Sequence, residues 1–477
     1  MRIHLLAIMT LTAVAGAGAS TVSLDSCRRM AVANNKSLQI AEENIRGAAY
    51  YRKAAFSAYL PSVDFTGTYF YNQHKIELLG EDAKLPTMSF DPASGKYNYN
   101  IVTGPDGVPV KDPATGSYIP SEVAVIPKEA MSYDVHNVFA GAFTLTQPIY
   151  MGGQIRALNE IAGLTEKVAR SSRNALAQDI VYAVDDAYWQ VVSLRQKKRL
   201  AESFASLVDS LLYDVRAMYD EGVATRSDVL TVEVKQNEAQ IALVKVDNGL
   251  TLSRMALAQI CGLPVNTVMT LSDEGLQSVA TAPAPADYNM ADVYARRQDL
   301  EVIRTSISLM RSREKMAIGE MLPKIALVGA YSFSNPNVNH GFEKKFGGGF
   351  NVGATLTVPL WHWGGRYNRY KAAKSATIAN RLLLEDAREK VDLQVSQARF
   401  SYEEAFKTYA MTLTNMKKAD ENLRQAELGF KEGVLTSEDV LRAQTAWIQA
   451  HSEKIDAEIG IRLCEVYLSK VLGELSY

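Results

Sequence analysis

Glu221-Gly222-Val223-Ala224-Thr225-Arg226-Ser227-Asp228-Val229-Leu230 has a close copy further along the chain, Glu432-Gly433-Val434-Leu435-Thr436-Ser437-Glu438-Asp439-Val440-Leu441. Glycine is the residue that ends a helix in the left-handed conformation. The Thr-x-x-Asp after it, Thr225 with Asp228 and Thr436 with Asp439, is the pattern of a capping box that opens the next helix. Each stretch therefore reads as a tight reversal between two helices. Gly222 and Gly433 lie 433 − 222 = 211 residues apart, so the chain is an internal duplication.

The flanks of each turn carry helical spacing. Before the first, no proline occurs between Pro148 and Pro264, and Ala187, Val191, Leu194, Ala201, Phe204, Val208, Leu211, Val215 and Met218 follow a coiled-coil seam. Gln154 to Asp220 as one helix is about 100 Å long, far more than a compact core needs. Before the second turn Val391, Val395, Ala398, Tyr402, Ala405 and Tyr409 repeat the seam. Returning helices run from Val229 to about Ile260, and from Val440 to about Leu472.

Further out, each half holds a helix and two strands. Leu24 to about Tyr59 reads as one helix stopped by Pro61, and Asp299 to about Glu320 as its counterpart stopped by Pro323. Strands of alternating character are expected at about 62–72, 138–149, 324–334 and 349–361. In the first, Val63, Phe65, Tyr69 and Tyr71 alternate with Asp64, Thr66 and Thr68. In the last, Phe350, Val352, Ala354, Leu356 and Val358 share a face. A long loop, 72–136, holds Asp91-Pro-Ala-Ser-Gly-Lys-Tyr97 and Asp112-Pro-Ala-Thr-Gly-Ser-Tyr118, both with the chemistry of hairpin tips. The expected organisation is thus a first repeat over 20–264 with its tip at 221–228, a linker over 265–298 containing Ala282-Pro283-Ala284-Pro285, and a second repeat over 299–477 with its tip at 432–439.

The 477 residues carry 51 basic and 53 acidic side chains, a net charge of −2, which offers nothing to a nucleic acid. Residues 1–19 read as a secretory signal peptide: Arg2, an apolar run from Leu5 to Ala15, then Ala17-Gly18-Ala19. No later apolar run is long enough for a helical span, so membrane insertion must be by strands. Cys27, Cys261 and Cys464 show no metal or redox spacing and read as buried thiols. Leu24-Asp25-Ser26-Cys27 is a poor lipidation site because of Asp25.

Four strands with one apolar face cannot close a barrel, and an open sheet edge is not tolerated in lipid. Three copies supply twelve strands, enough for a closed barrel with a lumen. The fold class expected is mostly α with a β-barrel portion: an internally duplicated chain with four transmembrane strands per protomer, its twelve-stranded barrel and helical barrel completed in a homotrimer.

The signal peptide, Leu60-Pro61-Ser62, the turns Pro148…Gly152-Gly153 and Pro359…Gly364-Gly365, and the two Glu-Gly-Val…Asp-Val-Leu stretches together resemble the TolC-type outer-membrane efflux proteins. The resemblance spans the whole mature chain. It implies a homotrimeric exit duct in the Gram-negative outer membrane, in contact with its lipid, with a helical barrel in the periplasm. It also implies a periplasmic adaptor docked at the hairpin tips, Gly222, Val223, Ala224, Thr225, Gly433, Val434, Leu435 and Thr436, and an inner-membrane pump driven by protons or ATP. Asp439 falls where the family places acidic side chains around a periplasmic constriction. Arg442 stands where a second acid would strengthen such a ring, and Leu435 removes a basic tether.

Catalysis is not expected, because no nucleophile, base and orienting group come together at interpretable spacing. No cofactor or metal is expected either: His74, His136, His340 and His451 lack ligand spacing, and Gly347-Gly348-Gly349 precedes no phosphate-binding helix. Trp361, His362 and Trp363 read as packing at a strand-to-helix corner. Tyr69, Tyr71, Tyr331 and Phe333 read as a lipid-interface girdle or ordinary sheet packing. Type I protein secretion uses the same duct architecture and stays open beside small-molecule efflux. A secreted coiled-coil stalk explains the heptads but not the strands.

Overall fold

The structure, a computed structural model, describes residues 21–276 and 288–475. The expected signal peptide and Ala282–Pro285 lie outside the described residues. Two compact units form: one from the chain up to Ala55, Arg156–Lys315 and Asn368 onward, the other from Phe56–Ile155 and Met316–Tyr367. Each unit draws on both halves of the sequence.

The duplication is exact in length along the long helices. Helix α3 (Gln154–Asp220) and helix α7 (Gly365–Lys431) each have 67 residues, and helix α4 (Arg226–Ile260) and helix α8 (Ser437–Val471) each have 35. Their starts are offset by 365 − 154 = 211 and 437 − 226 = 211, the offset of the turn glycines. The seam residues Ala187, Val191, Ala201, Phe204, Val208, Leu211 and Val215 are all buried on α3. No described helix is both long and apolar enough to cross a membrane.

The first N-terminal helix is broken, against the expectation of one continuous helix from Leu24 to about Tyr59, whereas its counterpart runs over Gln298–Gly319 as expected and is preceded by an additional short helix. Helix α1 (Leu24–Asn34) ends at Asn35, whose backbone is extended, and helix α2 (Lys36–Ser57) follows. The cause is the Asn35 amide: its Oδ1 accepts from Ser37 N at 2.9 Å, while its Nδ2 donates to Ile260 O at 3.0 Å. That is a local cap and a tertiary tie in one side chain. Helix α5 (Met290–Arg296) breaks before helix α6 (Gln298–Gly319) at the extended Arg297, whose Nη1 donates to Val471 O at 3.3 Å. The expected linker thus contains a helix. At both breaks a left-handed glycine closes the returning hairpin, Gly262 (φ +72°) beside Asn34 and Gly473 (φ +73°) beside Arg296.

In the second unit four strands form one antiparallel sheet: β1 (Ser62–Tyr71), β2 (Asn137–Met151), β3 (Lys324–Asn335) and β4 (Gly347–Thr357), in that spatial order. The register aligns Phe65, Phe143, Tyr331 and Phe350 in one row across the sheet, and Val63, Leu145, Gly329 and Val352 in the next. The opposite face carries Asp64, Thr144, Ala330 and Asn351, then Thr66, Ala142, Ser332 and Gly349. One face is therefore aromatic and aliphatic, the other small and polar. Gly141 is required by Phe333, whose ring would lie 2.5 Å from any Cβ there. Pro148 lacks a donor, and the β2–β3 ladder shifts register between Pro148 and Tyr150.

Three details differ from expectation. Strand β4 stops at Thr357, so Val358 lies outside the ladder; Pro359 cannot extend it. Trp361 and Trp363 do not pack into the chain. They are 73% and 88% exposed and meet each other edge-on at 5.9 Å. The left-handed pair at this corner is Trp363 (φ +48°) and Gly364, which matches Gly152-Gly153 at the 211-residue offset, whereas Gly365 already belongs to α7.

The segment after β1 also holds more regular structure than its composition suggested. Short antiparallel pairs join Ile76–Glu77 to Ser132–Tyr133, Ala83–Pro86 to Val123–Ile126, and Met88–Asp91 to Lys96–Tyr99. Both Asp-Pro-Ala-Ser/Thr-Gly stretches form tips. Asp91 Oδ1 and Asp112 Oδ1 each accept from the backbone N–H two residues on, at 2.9 Å, and Gly95 and Gly116 take positive φ.

Candidate functional site

The repeated turns are built alike, atom by atom. At the end of α3, Val223 N donates to Met218 O at 2.8 Å and Gly222 N to Tyr219 O at 2.9 Å, with Gly222 at φ +80°. At the end of α7, Val434 N donates to Gly429 O at 2.8 Å and Gly433 N to Phe430 O at 3.0 Å, with Gly433 at φ +73°. These bonds satisfy the carbonyls that a helix end leaves over. An added Cβ at either glycine meets nothing, so glycine is chosen for φ and not for space.

A reciprocal cap starts each returning helix. Thr225 Oγ1 accepts from Asp228 N at 3.2 Å, and Asp228 Oδ2 accepts from Thr225 N at 2.8 Å. Thr436 and Asp439 repeat this at 3.3 Å and 3.1 Å. The Thr225 hydroxyl, then its backbone N–H, holds the Asp228 carboxyl below the usual carboxylate range. The Thr436 hydroxyl and N–H do the same for Asp439, with Arg442 adding a smaller contribution. Both side chains are carboxylates at neutral pH. The Arg442 guanidinium pairs instead with Glu438 at 3.3 Å, both ends three-quarters exposed, so this ion pair adds little stability.

The two hairpins share one apolar cluster, which brings the tips together within a unit. Phe204, Val208, Leu211, Val215, Val229 and Val232 of the first pack with Leu423, Phe430, Val440 and Leu441 of the second. Gln444 Nε2 donates to Leu207 O across them at 3.3 Å. Of the predicted tip residues, Ala224 turns into this cluster, while Val223 and Val434 stay 71% and 79% exposed.

Sequence reading did not single out Gly429. The Leu435 side chain folds back over it, with Cδ1 2.8 Å from where a Cβ would stand, so Leu435 packs partly on the end of α7. Nor did it single out Asp420, which accepts from Trp447 Nε1 at 2.8 Å and bonds His451 Nε2 at 2.7 Å, tying α7 to α8. Hairpin register held the signal: 436 − 420 = 16 and 451 − 436 = 15 place the two almost equally far from the cap. Cys27 is fully buried inside α1, which does not fit a lipidated chain start.

A family model described as outer membrane efflux protein matches residues 121–263 and 290–474, more than half of the chain. The chain belongs to the outer membrane efflux protein family. Among curated relatives, the outer membrane efflux protein BepC of Brucella suis is 23% identical over 340 residues, 70% of this chain and 71% of that protein. The pyoverdine export outer membrane protein OpmQ of Pseudomonas putida is 20% identical, over 67% of each chain. Among solved structures, the outer membrane protein VceC of Vibrio cholerae superposes with a TM-score of 0.69 over 94% of this chain and 96% of its own, at 13% identity. Membership gives the chain its place and role: it is an outer-membrane exit channel for efflux, of the kind that works with a periplasmic adaptor and an inner-membrane pump. The family is one of channels, in line with a non-enzymatic role.

Proposed function

We propose that three copies of this chain close one twelve-stranded barrel, β1 of each pairing with β4 of the next, to form the duct of a tripartite efflux system. One observation carries the reading: a four-stranded sheet has one continuous apolar face in solvent and two outer edges, on β1 and β4, that no other described strand covers. In lipid those edges need partners, and identical copies supply them by symmetry. The helices support the same count. Helix α7, equal in length to α3, buries 9 residues where α3 buries 23. Leu382, Leu393, Phe400, Met411 and Leu428 stay exposed on it, as do Val234, Ile241 and Leu252 on α4. A neighbouring copy would cover them. The native mass of the protein extracted from outer membranes in mild detergent is expected to be that of a trimer. A membrane-inserted monomer would refute the closure.

The adaptor reading places docking at Gly222, Val223, Ala224, Thr225, Gly433, Val434, Leu435 and Thr436, with Val223 and Val434 as the apolar contacts. Val223→Asp combined with Val434→Asp should abolish co-purification with the adaptor, because a carboxylate on each tip must then be desolvated to bind. Trimer yield should stay unchanged, since neither side chain packs within the chain. Undiminished adaptor recovery would move the docking surface elsewhere. Asp439 is the proposed charge at the constriction, and the pump supplies energy and selectivity. The relative named for pyoverdine export favours a small-molecule cargo over a secreted protein. Residues 20–264 and 299–477 are the proposed repeats, and 72–136 the extracellular loop.

A further inference from the structure

Two cysteines far apart in sequence meet in the helical unit. Cys27 lies in the first turns of α1 and Cys261 immediately follows α4; both are fully buried in one apolar cluster. Cys261 Sγ donates to Cys27 O at 3.6 Å, so the two residues meet inside that cluster. Their backbones are positioned independently of any sulfur. Asn35 Nδ2 holds Ile260 O at 3.0 Å, and a Cβ on Gly262 would lie 2.6 Å from the Asn34 backbone. Arg28 forks onto the buried Asp185 at 2.7 Å and 2.5 Å. Val22 pairs with Leu271 as an isolated bridge.

The fold does not require sulfur there. At the 211-residue offset the second hairpin ends on Leu472, which is buried against its own cluster. A thiol pair enclosed where a leucine serves equally well points to a use of the sulfur itself. The compartment supplies the rest: an outer-membrane protein folds outside the cytoplasm, where disulfides form and persist.

We propose that Cys27 and Cys261 of the mature protein are joined by a disulfide that fastens the N-terminal helix to the end of the first helical hairpin. One thiolate attacks the disulfide R–S–S–R of a compartment oxidase, giving a mixed disulfide and releasing one R–S⁻. The second thiolate then displaces the other R–S⁻. The two cysteines lose two electrons and two protons, and the donor ends as two thiols. The exchange precedes docking of α1, because the folded pair is closed to a protein oxidant. Inside the fold the pair splits, Cys261 and then burial pushing the Cys27 thiol far above the ordinary range while Cys27 pulls Cys261 below it, and the full burial of both keeps a protein oxidant out. Cys464, half-buried on α8 and donating to Ser401 O at 3.8 Å, takes no part in the proposed link and serves as the internal standard.

The test counts thiols in the full-length protein. Cells are quenched in acid, the protein is denatured with an excess of a polyethylene-glycol maleimide, and the mass shift is read with and without prior reduction. One labelled thiol per chain before reduction and three after it are expected, with a linked peptide containing Cys27 and Cys261. Three labelled thiols without reduction, or a link involving Cys464, overturn the proposal. Cys27→Ser should expose two thiols without reduction. Reductant should lower the melting temperature of the wild type by several degrees and leave the Cys27→Ser, Cys261→Ser double variant unmoved. A wild type indifferent to reductant overturns the fastening role.

Discussion

Val352→Arg is expected to remove the protein from the outer membrane, while Asn351→Arg, one residue away, leaves insertion intact. Val352 stands midway along β4, 78% exposed, in the row Val63, Leu145, Gly329 and Val352 of the apolar face. In the proposed barrel that face meets lipid tails. An arginine near the bilayer midplane of such a barrel costs about 2–4 kcal/mol, and symmetry repeats the cost in each copy. Against a net stability of about 5–15 kcal/mol, three such costs leave little inserted protein. Asn351 belongs to the other face, with Asp64, Thr144 and Ala330, where water in the lumen hydrates an added charge. The measurement is the amount of trimer in outer-membrane fractions for each variant. Equal loss for both would mean that β4 simply tolerates no large side chain. Equal retention would mean that the apolar face does not meet lipid, and the barrel reading would fall with it.

That alternation is legible in the sequence, because a period of two residues is a local property. So are the turns: Gly222 and Gly433 with their Thr-x-x-Asp caps encode their conformation within ten residues. What escaped the sequence depends on partners far along the chain. The break at Asn35 is made by a carbonyl 225 residues away, and the contact of Cys27 with Cys261 spans 234 residues. The cap of Asn35 on Ser37 is local, but neither long-range tie leaves a trace in the residues around it. Trp363 misled for a different reason. A left-handed backbone is costly for a bulky side chain, so the glycine pair Gly364-Gly365 was the natural reading of that corner. The short strands between Asn72 and His136 were hidden because pairs of two to four residues, exposed on both faces, carry no periodicity. The exposure of Trp361 and Trp363 is a property of the single chain and becomes intelligible only with lipid or a neighbouring copy beside it.

Asp439→Ala is expected to raise single-channel conductance several-fold and reduce cation preference, while Asp228→Ala does neither. The pair isolates the proposed constriction because the two carboxylates have the same local work. Each closes a capping box on its own threonine with nearly the same distances, so each substitution removes the same local cap. Any effect of losing a cap is therefore common to both. Charge at the pore axis is not, since three copies of Asp439 would form a ring that holds a cation and narrows the opening. Asp439→Asn sharpens the comparison. Its side-chain oxygen still accepts from Thr436 N, so the cap survives while the charge is gone, and conductance should rise as in the alanine variant. If Asp228→Ala opens the channel equally, cap loss and fraying of the tips explain the change. If Asp439→Asn stays at wild-type conductance while Asp439→Ala rises, the cap again accounts for it, and the constriction must be sought among other side chains near the second turn.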